Sequence, residues 1–293
     1  MELQQMRYVV EVAATRSFTR AAERCFVTQS ALSHQIAALE RELGQRLFIR
    51  SSRGVRMTEA GEAFLPPARS ALASAQQAID VVAAEPDQLD GTVRIGIIPT
   101  VVAVRVPRLL ASFRAAHPAV RVELEMGNSD DLVAKIRRGD LDVALLGLQP
   151  GAEPRGVGYR EIAVDHHVAV LPRAHRLAAR TRLRLGDLAE DVFVDFPAGT
   201  SGRAQSDVAF RAAGVDRDVA FEVDTAGVML GLVAEGLAVA LLTPGAVPAG
   251  VAGVSTVPVV DGPRRAEYVA WDLDSPRRVA RALLTVLDGE ASV

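Results

Sequence analysis

Phe18-Thr19-Arg20-Ala21-Ala22-Glu23-Arg24-Cys25-Phe26-Val27-Thr28-Gln29-Ser30-Ala31-Leu32-Ser33-His34-Gln35-Ile36 reads as two short helices joined by a tight turn. Ser17 can cap the first, in which Phe18, Ala21, Ala22 and Cys25 share one face. Thr28 can cap the second, whose apolar stripe Leu32, Ile36, Leu39 and Leu43 stops at Gly44. Only Phe26-Val27 separates them. An earlier helix is written in Leu3, Met6, Val10 and Ala13, three and four residues apart. Three short helices with that turn match a helix-turn-helix unit.

The exposed end of the third helix carries Gln29, Ser30, Ser33, His34 and Gln35, none of them acidic. Amide and short hydroxyl side chains there can approach base edges in a major groove, and the helix N-terminus favours a phosphate. The plainer reading of the same residues is an ordinary solvated face. The next segment of chain shifts the balance. Arg46-Leu47-Phe48-Ile49-Arg50 and Val55-Arg56-Met57 pattern as two strands around the turn Ser51-Ser52-Arg53-Gly54, a basic hairpin placed as a wing would be. Arg53 at its tip could reach a phosphate or the minor groove. Residues 1–57 hold nine arginines and five glutamates, a local balance of +4, whereas the whole chain carries −3.

The run Phe18–Arg24, then Val27–Ile36, Leu39-Glu40, Leu43-Gly44, Leu47-Phe48 and Thr58-Glu59-Ala60-Gly61 resembles LysR-type transcription regulators. It departs from the family pattern at Ser30, where proline is usual, and at His34, often arginine. The resemblance implies a winged helix-turn-helix over residues 1–58 that binds double-stranded DNA. Gln29, Ser33 and His34 are then the base readers, Thr28 and Ser30 lie beside them, and Arg50 and Arg53 sit on the backbone.

Thr58-Glu59 opens a further helix, with a cap and an acid in its first turn. Leu65, Leu72 and Ile79 fall seven apart, with Ala68, Ala75 and Val82 in the other heptad position, a coiled-coil seam. Pro66-Pro67 should kink this helix or shift its start. LysR-type proteins are similar here in using a linker helix for self-association. Residues 59–90 are therefore expected to make a dimer, the resemblance also implies a tetramer, and two readers on one dimer imply an inverted-repeat operator.

Glu85-Pro86-Asp87-Gln88-Leu89-Asp90-Gly91 is a polar break. After it, strand and helix patterns alternate as βαβαβ, which predicts a mainly parallel sheet, followed by a second such unit. The pattern resembles the two-lobed α/β architecture of type 2 periplasmic binding proteins and the LysR-type effector domain. The expected lobes are 91–162 with 265–293, and 163–264. Ligands in such sheets bind at the carboxyl ends of strands. That geometry nominates Thr100, Val101, Asn128, Ser129, Thr200, Ser201, Arg203 and Thr225, with four helix N-termini facing one cleft. Free N–H groups and helix dipoles there favour an anionic effector, and Arg203 could pair with a carboxylate. Asp130, Asp131 and Asp224 oppose one, and the hydroxyls also serve as plain helix caps.

Other chemistry is excluded or unsupported. Lys135, the one lysine, is followed by Ile136 without a glycine-rich loop, which removes a Walker-type phosphate site. Gly156-Val157-Gly158 has Glu161 where a dinucleotide fingerprint needs its third glycine, and Gly199–Gly202 is not a nucleophile elbow. His166-His167 on a strand would point to opposite faces and cannot chelate one ion. The single cysteine, Cys25, is read as a core residue. No catalytic constellation, cofactor motif or metal site emerges, so an enzyme is not expected. A transport solute-binding protein accounts for residues 91–293 but not for the first ninety. No stretch is apolar enough to span a bilayer and no basic start leads into an apolar segment, so a cytoplasmic protein is expected.

Overall fold

The computed structural model describes residues 1–51, 54–82 and 89–291. The chain divides into two compact units at about residue 88, taken in turn.

In the first unit, α1 (Leu3–Thr15), α2 (Phe18–Arg24) and α3 (Gln29–Leu43) enclose a core of Tyr8, Val9, Val12, Phe18, Ala21, Ala22, Leu32, Ile36 and Leu39. The expected caps operate. Ser17 accepts a hydrogen bond from the Arg20 amide, Thr28 from the Ala31 amide at 3.2 Å, and Gly44 closes α3 in the left-handed region. A hairpin comes next, β1 (Phe48–Ser51) paired antiparallel with β2 (Gly54–Met57). Its base is tied to α3 by Glu40, whose carboxylate accepts from the Leu47 amide at 2.7 Å and the Phe48 amide at 3.2 Å. Phe48 meets Phe18 edge-on at 5.8 Å. The hairpin tip, with Arg53, lies outside the described residues, as does the Arg50 side chain.

Helix α4 (Glu59–Val82) starts where Thr58 and Glu59 predict. A side chain at Gly61 would stand 2.3 Å from the Leu47 carbonyl oxygen, so only glycine lets α4 approach the wing this closely. Pro66 and Pro67 lie inside α4 rather than displacing its start. Lacking amide protons, they leave the carbonyls of Glu62 and Ala63, one turn earlier, without those helical partners.

In the second unit, β3 (Gly91–Ile97), β4 (Val120–Met126), β5 (Val143–Leu148), β6 (Gly158–His166) and β12 (Arg264–Trp271) form one five-stranded sheet in the order β4-β3-β5-β12-β6. The edges β3-β4 and β3-β5 are parallel, while β12 runs antiparallel to both neighbours. Helices α5 (Val106–Ala116), α6 (Ser129–Arg137) and α9 (Arg278–Ala291) accompany it. Val93, Ile95, Phe113, Val143, Leu145 and Leu283 belong to one apolar cluster, and Leu132, Ile136, Ala144, Leu146 and Tyr268 to another. Alternation along β5 divides its side chains between them.

The second lobe corrects the expectation of a repeated parallel unit. Its three-stranded sheet, β10 (Ala240–Leu242), β7 (Val168–Pro172) and β11 (Val254–Pro258), is antiparallel throughout. Parallel pairing is confined to β8 (Val192–Asp195) with β9 (Asp218–Glu222) and to single parallel bridges of Phe193 with Val239, just before β10, and of Leu183 with Val259. Helices α7 (Ser201–Ala213) and α8 (Ala226–Ala234) complete it. Val254–Pro258 has weak apolar alternation, and its pattern does not predict a strand. The chain crosses between lobes at β6-to-β7 and β11-to-β12, and the His167 amide donates to the Pro263 carbonyl at 2.9 Å between those crossings.

Candidate functional site

The reading end of α3 is displayed as expected. Thr28, Gln29, Ser30 and His34 are exposed and Ser33 is half-buried, while Leu32 and Ile36 hold the opposite face in the core. The polar groups satisfy one another locally. Gln29 Nε2 donates to Ser33 Oγ at 2.9 Å, and the Thr28 and Ser30 hydroxyls lie 3.1 Å apart. These are surface bonds between short or flexible groups, cheap to exchange for base edges.

A cavity of about 450 Å³ opens between the two lobes of the second unit. Its apolar lining includes Ile98, Met126, Phe196, Pro197 and Leu241, and its polar lining is more specific. Of the sequence-nominated residues, Thr100, Asn128, Ser129, Thr200 and Thr225 line it. Ser129 is buried and fully engaged, its hydroxyl donating to the Gly147 carbonyl at 3.1 Å and accepting from the Gly147 amide at 3.0 Å. Thr200 accepts from the Arg203 amide and donates to the Pro197 carbonyl at 2.8 Å. Asn128 accepts from the Asp131 amide at 2.9 Å. Thr225 precedes α8 without a side-chain cap bond.

Three nominated residues sit elsewhere. Val101 packs against the apolar core of the first lobe. Ser201 donates to Asp130 at 2.6 Å, a bond from α7 to α6 that joins the lobes. Arg203 is engaged by protein carboxylates, with Nε to Asp207 at 3.0 Å and Nη1 to Glu222 at 2.9 Å, so it pairs β9 with α7. Three helix N-termini rather than four meet at the cleft. Helix α5 begins only at Val106, because Glu267 captures the Val102 and Ala103 amides at 3.0 and 3.1 Å and ties that stretch to β12.

Sequence reasoning missed the most telling pair, Arg265 and His167. Each comes from one of the two inter-lobe crossings, is at most 6 % exposed, and lines the cleft. Arg265 Nη1 donates to Thr100 Oγ1. Its Nη2 donates to the Thr100 carbonyl at 2.8 Å and to the Glu267 carboxylate. Burial lowers the Arg265 pKa below its ordinary value, against the pull of Glu267 and Asp165. His167 is held neutral, its pKa lowered to about 3 by burial first, then by Arg265 and His166. Arg265 Nε and His167 Nδ1 are both buried without a hydrogen-bond partner. In folded proteins such atoms are rare, and each calls for a physical reason. Arg265 is visible in sequence only as a charge beside an apolar strand, and its burial becomes visible once Glu267, two residues on, is seen to share its face. His166 is exposed and His167 buried, so the adjacent pair does point apart.

A helix-turn-helix in one unit and a two-lobed binding cleft in the other define a DNA-binding protein with a small-molecule receptor domain. Comparison with known proteins places that class. Residues 3–62 match the model for bacterial regulatory helix-turn-helix proteins of the lysR family, and residues 86–292 match the LysR substrate binding domain. The chain is 38 % identical to the HTH-type transcriptional regulator ShiR of Corynebacterium glutamicum strain R, over 84 % of this chain and 83 % of that protein. A full-length OxyR variant from Pseudomonas aeruginosa superposes with a TM-score of 0.81 at 26 % identity, covering 98 % of this chain and 94 % of that one. CbnR, a LysR family regulator solved with its target DNA, shares the fold with a TM-score of 0.66 at 23 % identity, over 99 % of both chains. This chain belongs to the LysR family of DNA-binding transcription regulators. Among the described residues no helix is long and apolar enough to cross a membrane.

Proposed function

We propose that the protein regulates transcription in response to a small organic monoanion with an apolar body, bound between the lobes of its second unit. The observation that carries this reading is a cavity lined by both Arg265 and His167, two buried residues whose Nε and Nδ1 atoms have no hydrogen-bond partner. The guanidinium offers a donor to a carboxylate, and the neutral imidazole offers either a donor or an acceptor. The amino ends of α6, α7 and α8 add partial positive charge, and Thr225 adds a hydroxyl not used in capping. Phe196, Met126 and Leu241 suit an apolar frame. Asp131 and Asp224 at the same cavity disfavour a second negative charge. The only cysteine, Cys25, lies outside the substrate-binding domain, so a thiol is not the sensor there.

On DNA, Gln29, Ser33 and His34 read base edges, Thr28 and Ser30 support them, and Arg50 and Arg53 neutralise phosphates. A dimer formed through residues 59–90 presents two such readers to an inverted repeat. The first experiment is selection of fragmented genomic DNA by the purified protein. Enrichment of an inverted repeat beside a promoter is the expected result, and a folded dimer that enriches nothing with or without pooled metabolites would overturn the DNA-reading assignment. For the effector, titration calorimetry with a panel of carboxylic acids is expected to find binding. Thr225→Val should weaken it about fivefold or more, the loss of one hydrogen bond to a charged group, at unchanged melting temperature. Binding confined to cationic or wholly apolar compounds rejects the assignment.

A further inference from the structure

Helix α2 ends in a Schellman motif. The Val27 amide donates to the Ala22 carbonyl at 3.0 Å, and the Phe26 amide to the Glu23 carbonyl at 3.2 Å, around the cap residue Cys25. The left-handed position of that motif, normally glycine or asparagine, is filled by Phe26 at φ 55°. Among the described residues only Arg16 and Phe26 are non-glycines with positive φ, and both belong to the helix-turn-helix unit. A left-handed backbone is disfavoured for any residue with a Cβ. Side chains placed there are ordinarily compensated by packing, and Phe26 has no such compensation. It is 95 % exposed, the most exposed large apolar side chain among the described residues, while its neighbour Val27 packs against the core. An aromatic ring therefore stands in water on a disfavoured backbone, two residues before the Thr28 cap of the helix that reads DNA.

We propose that Phe26 is a DNA-contacting residue whose phenyl ring packs against the apolar surface of the operator, deoxyribose edges or thymine methyl groups, beside the groove entered by α3. The geometry supports this occupant over a protein partner by continuity. Phe26, Thr28, Gln29 and Ser30 are all exposed within five residues of chain, which sets the ring beside the amino end of α3 and within reach of a duplex entered by that end. The contact adds affinity without neutralising a phosphate, and a thymine methyl would also supply sequence information. It rests on the reading of α3 as the groove helix, and the test separates the two.

The test compares the wild type with Phe26→Gly, Phe26→Tyr and Gln29→Ala in the full chain, using the duplex enriched by the genomic selection. Phe26→Gly should lose about tenfold in affinity, as expected for burial of one aromatic side chain. Its salt dependence should be unaltered, because no counterion is released by a phenyl ring. Its melting temperature should hold or rise by roughly 2–5 °C, because glycine relieves the left-handed position. Phe26→Tyr keeps the ring and should keep the affinity. Replacing thymine by uracil in the probe distinguishes the two surfaces. A wild-type loss that Phe26→Gly does not share assigns the ring to a methyl, and no loss assigns it to sugar, both in support. Unchanged affinity of Phe26→Gly while Gln29→Ala relaxes specificity overturns the Phe26 contact alone. A melting temperature that falls along with affinity overturns it in favour of a structural role. Loss of promoter activation at unchanged DNA affinity overturns it in favour of a protein partner. If Gln29→Ala also leaves binding untouched, the underlying reading of α3 fails first.

Discussion

His167 is neutral in the folded protein because burial and the nearby Arg265 charge oppose its protonation. Its pKa of about 3 in the fold lies well below the value near 6.5 of an unfolded chain. The unfolded state therefore binds the proton first as pH falls. The stability contributed by a neutral His167 is complete above pH 6.5 and is lost progressively down to about pH 3, at about 1.4 kcal/mol per pH unit within that window. Denaturant titrations of the wild type and of His167→Gln between about pH 7 and pH 5 should diverge with that slope, the wild type losing more. Parallel curves would mean that the imidazole is already solvated. Arg265 and Glu267 are linked differently. The carboxylate binds two backbone amides as well as the guanidinium, and removing either charge leaves the other buried without its counter-charge, at a cost of about 3–5 kcal/mol. Thr225, exposed and free of a cap bond, is for that reason the cleaner probe of the cleft.

Helix α3 shows what a single element determines. Its cap, apolar stripe and terminal glycine are local signals, so Thr28, Leu32 and Gly44 behave as the sequence implies. Removing the cap by Thr28→Ala should destabilise the first unit by about 1 kcal/mol, read as a lower denaturation midpoint at unchanged slope. Gln29→Ala should instead leave the midpoint unchanged and relax base preference at one operator position by about 1–3 kcal/mol. Arg53→Ala should weaken binding to all sequences alike and flatten its salt dependence. Equal effects of the Gln29 and Arg53 substitutions on cognate and random DNA would reject these roles. Elements fixed by distant partners are not legible in the same way. The start of α5 depends on Glu267, 165 residues beyond Val102, which draws off two amides that a helix would otherwise use. The parallel pairing of β3, β4 and β5 follows from βαβ alternation, but the antiparallel return of β12 depends on the chain crossing the lobes a second time. Arg203 reads as an anion clamp because Glu222 is brought to it only in the fold, although Asp207, one turn along α7, is a local partner. Arg265 escapes notice for the converse reason, since a charge on a buried strand is stable only with the Glu267 and Thr100 contacts that tertiary structure supplies.

At the scale of the whole molecule, regulation requires that the cleft of the second unit and the DNA-reading surface of the first be coupled in free energy. Such coupling is reciprocal. If the effector changes operator affinity by some factor, operator DNA must change effector affinity by the same factor, whatever route the coupling takes. An effector that binds equally well to the free and DNA-bound forms shifts neither, however tightly it binds. Couplings in allosteric proteins are commonly about 1–3 kcal/mol, or about 5- to 150-fold. We therefore expect the organic acid identified by calorimetry to bind with a dissociation constant altered about fivefold or more when saturating operator duplex is present. The matching change should appear in operator affinity when the acid is saturating. The Thr225→Val variant should keep its coupling factor while both effector affinities fall together, because Thr225 is assigned to the ligand and not to the transition. Random DNA of equal length is the control, since a purely electrostatic effect of nearby phosphates on an anion would appear there too and would vanish in high salt. Equal effector affinity with and without operator would mean that occupation of the cleft does not control DNA binding itself. Regulation would then have to act on a later step at the promoter.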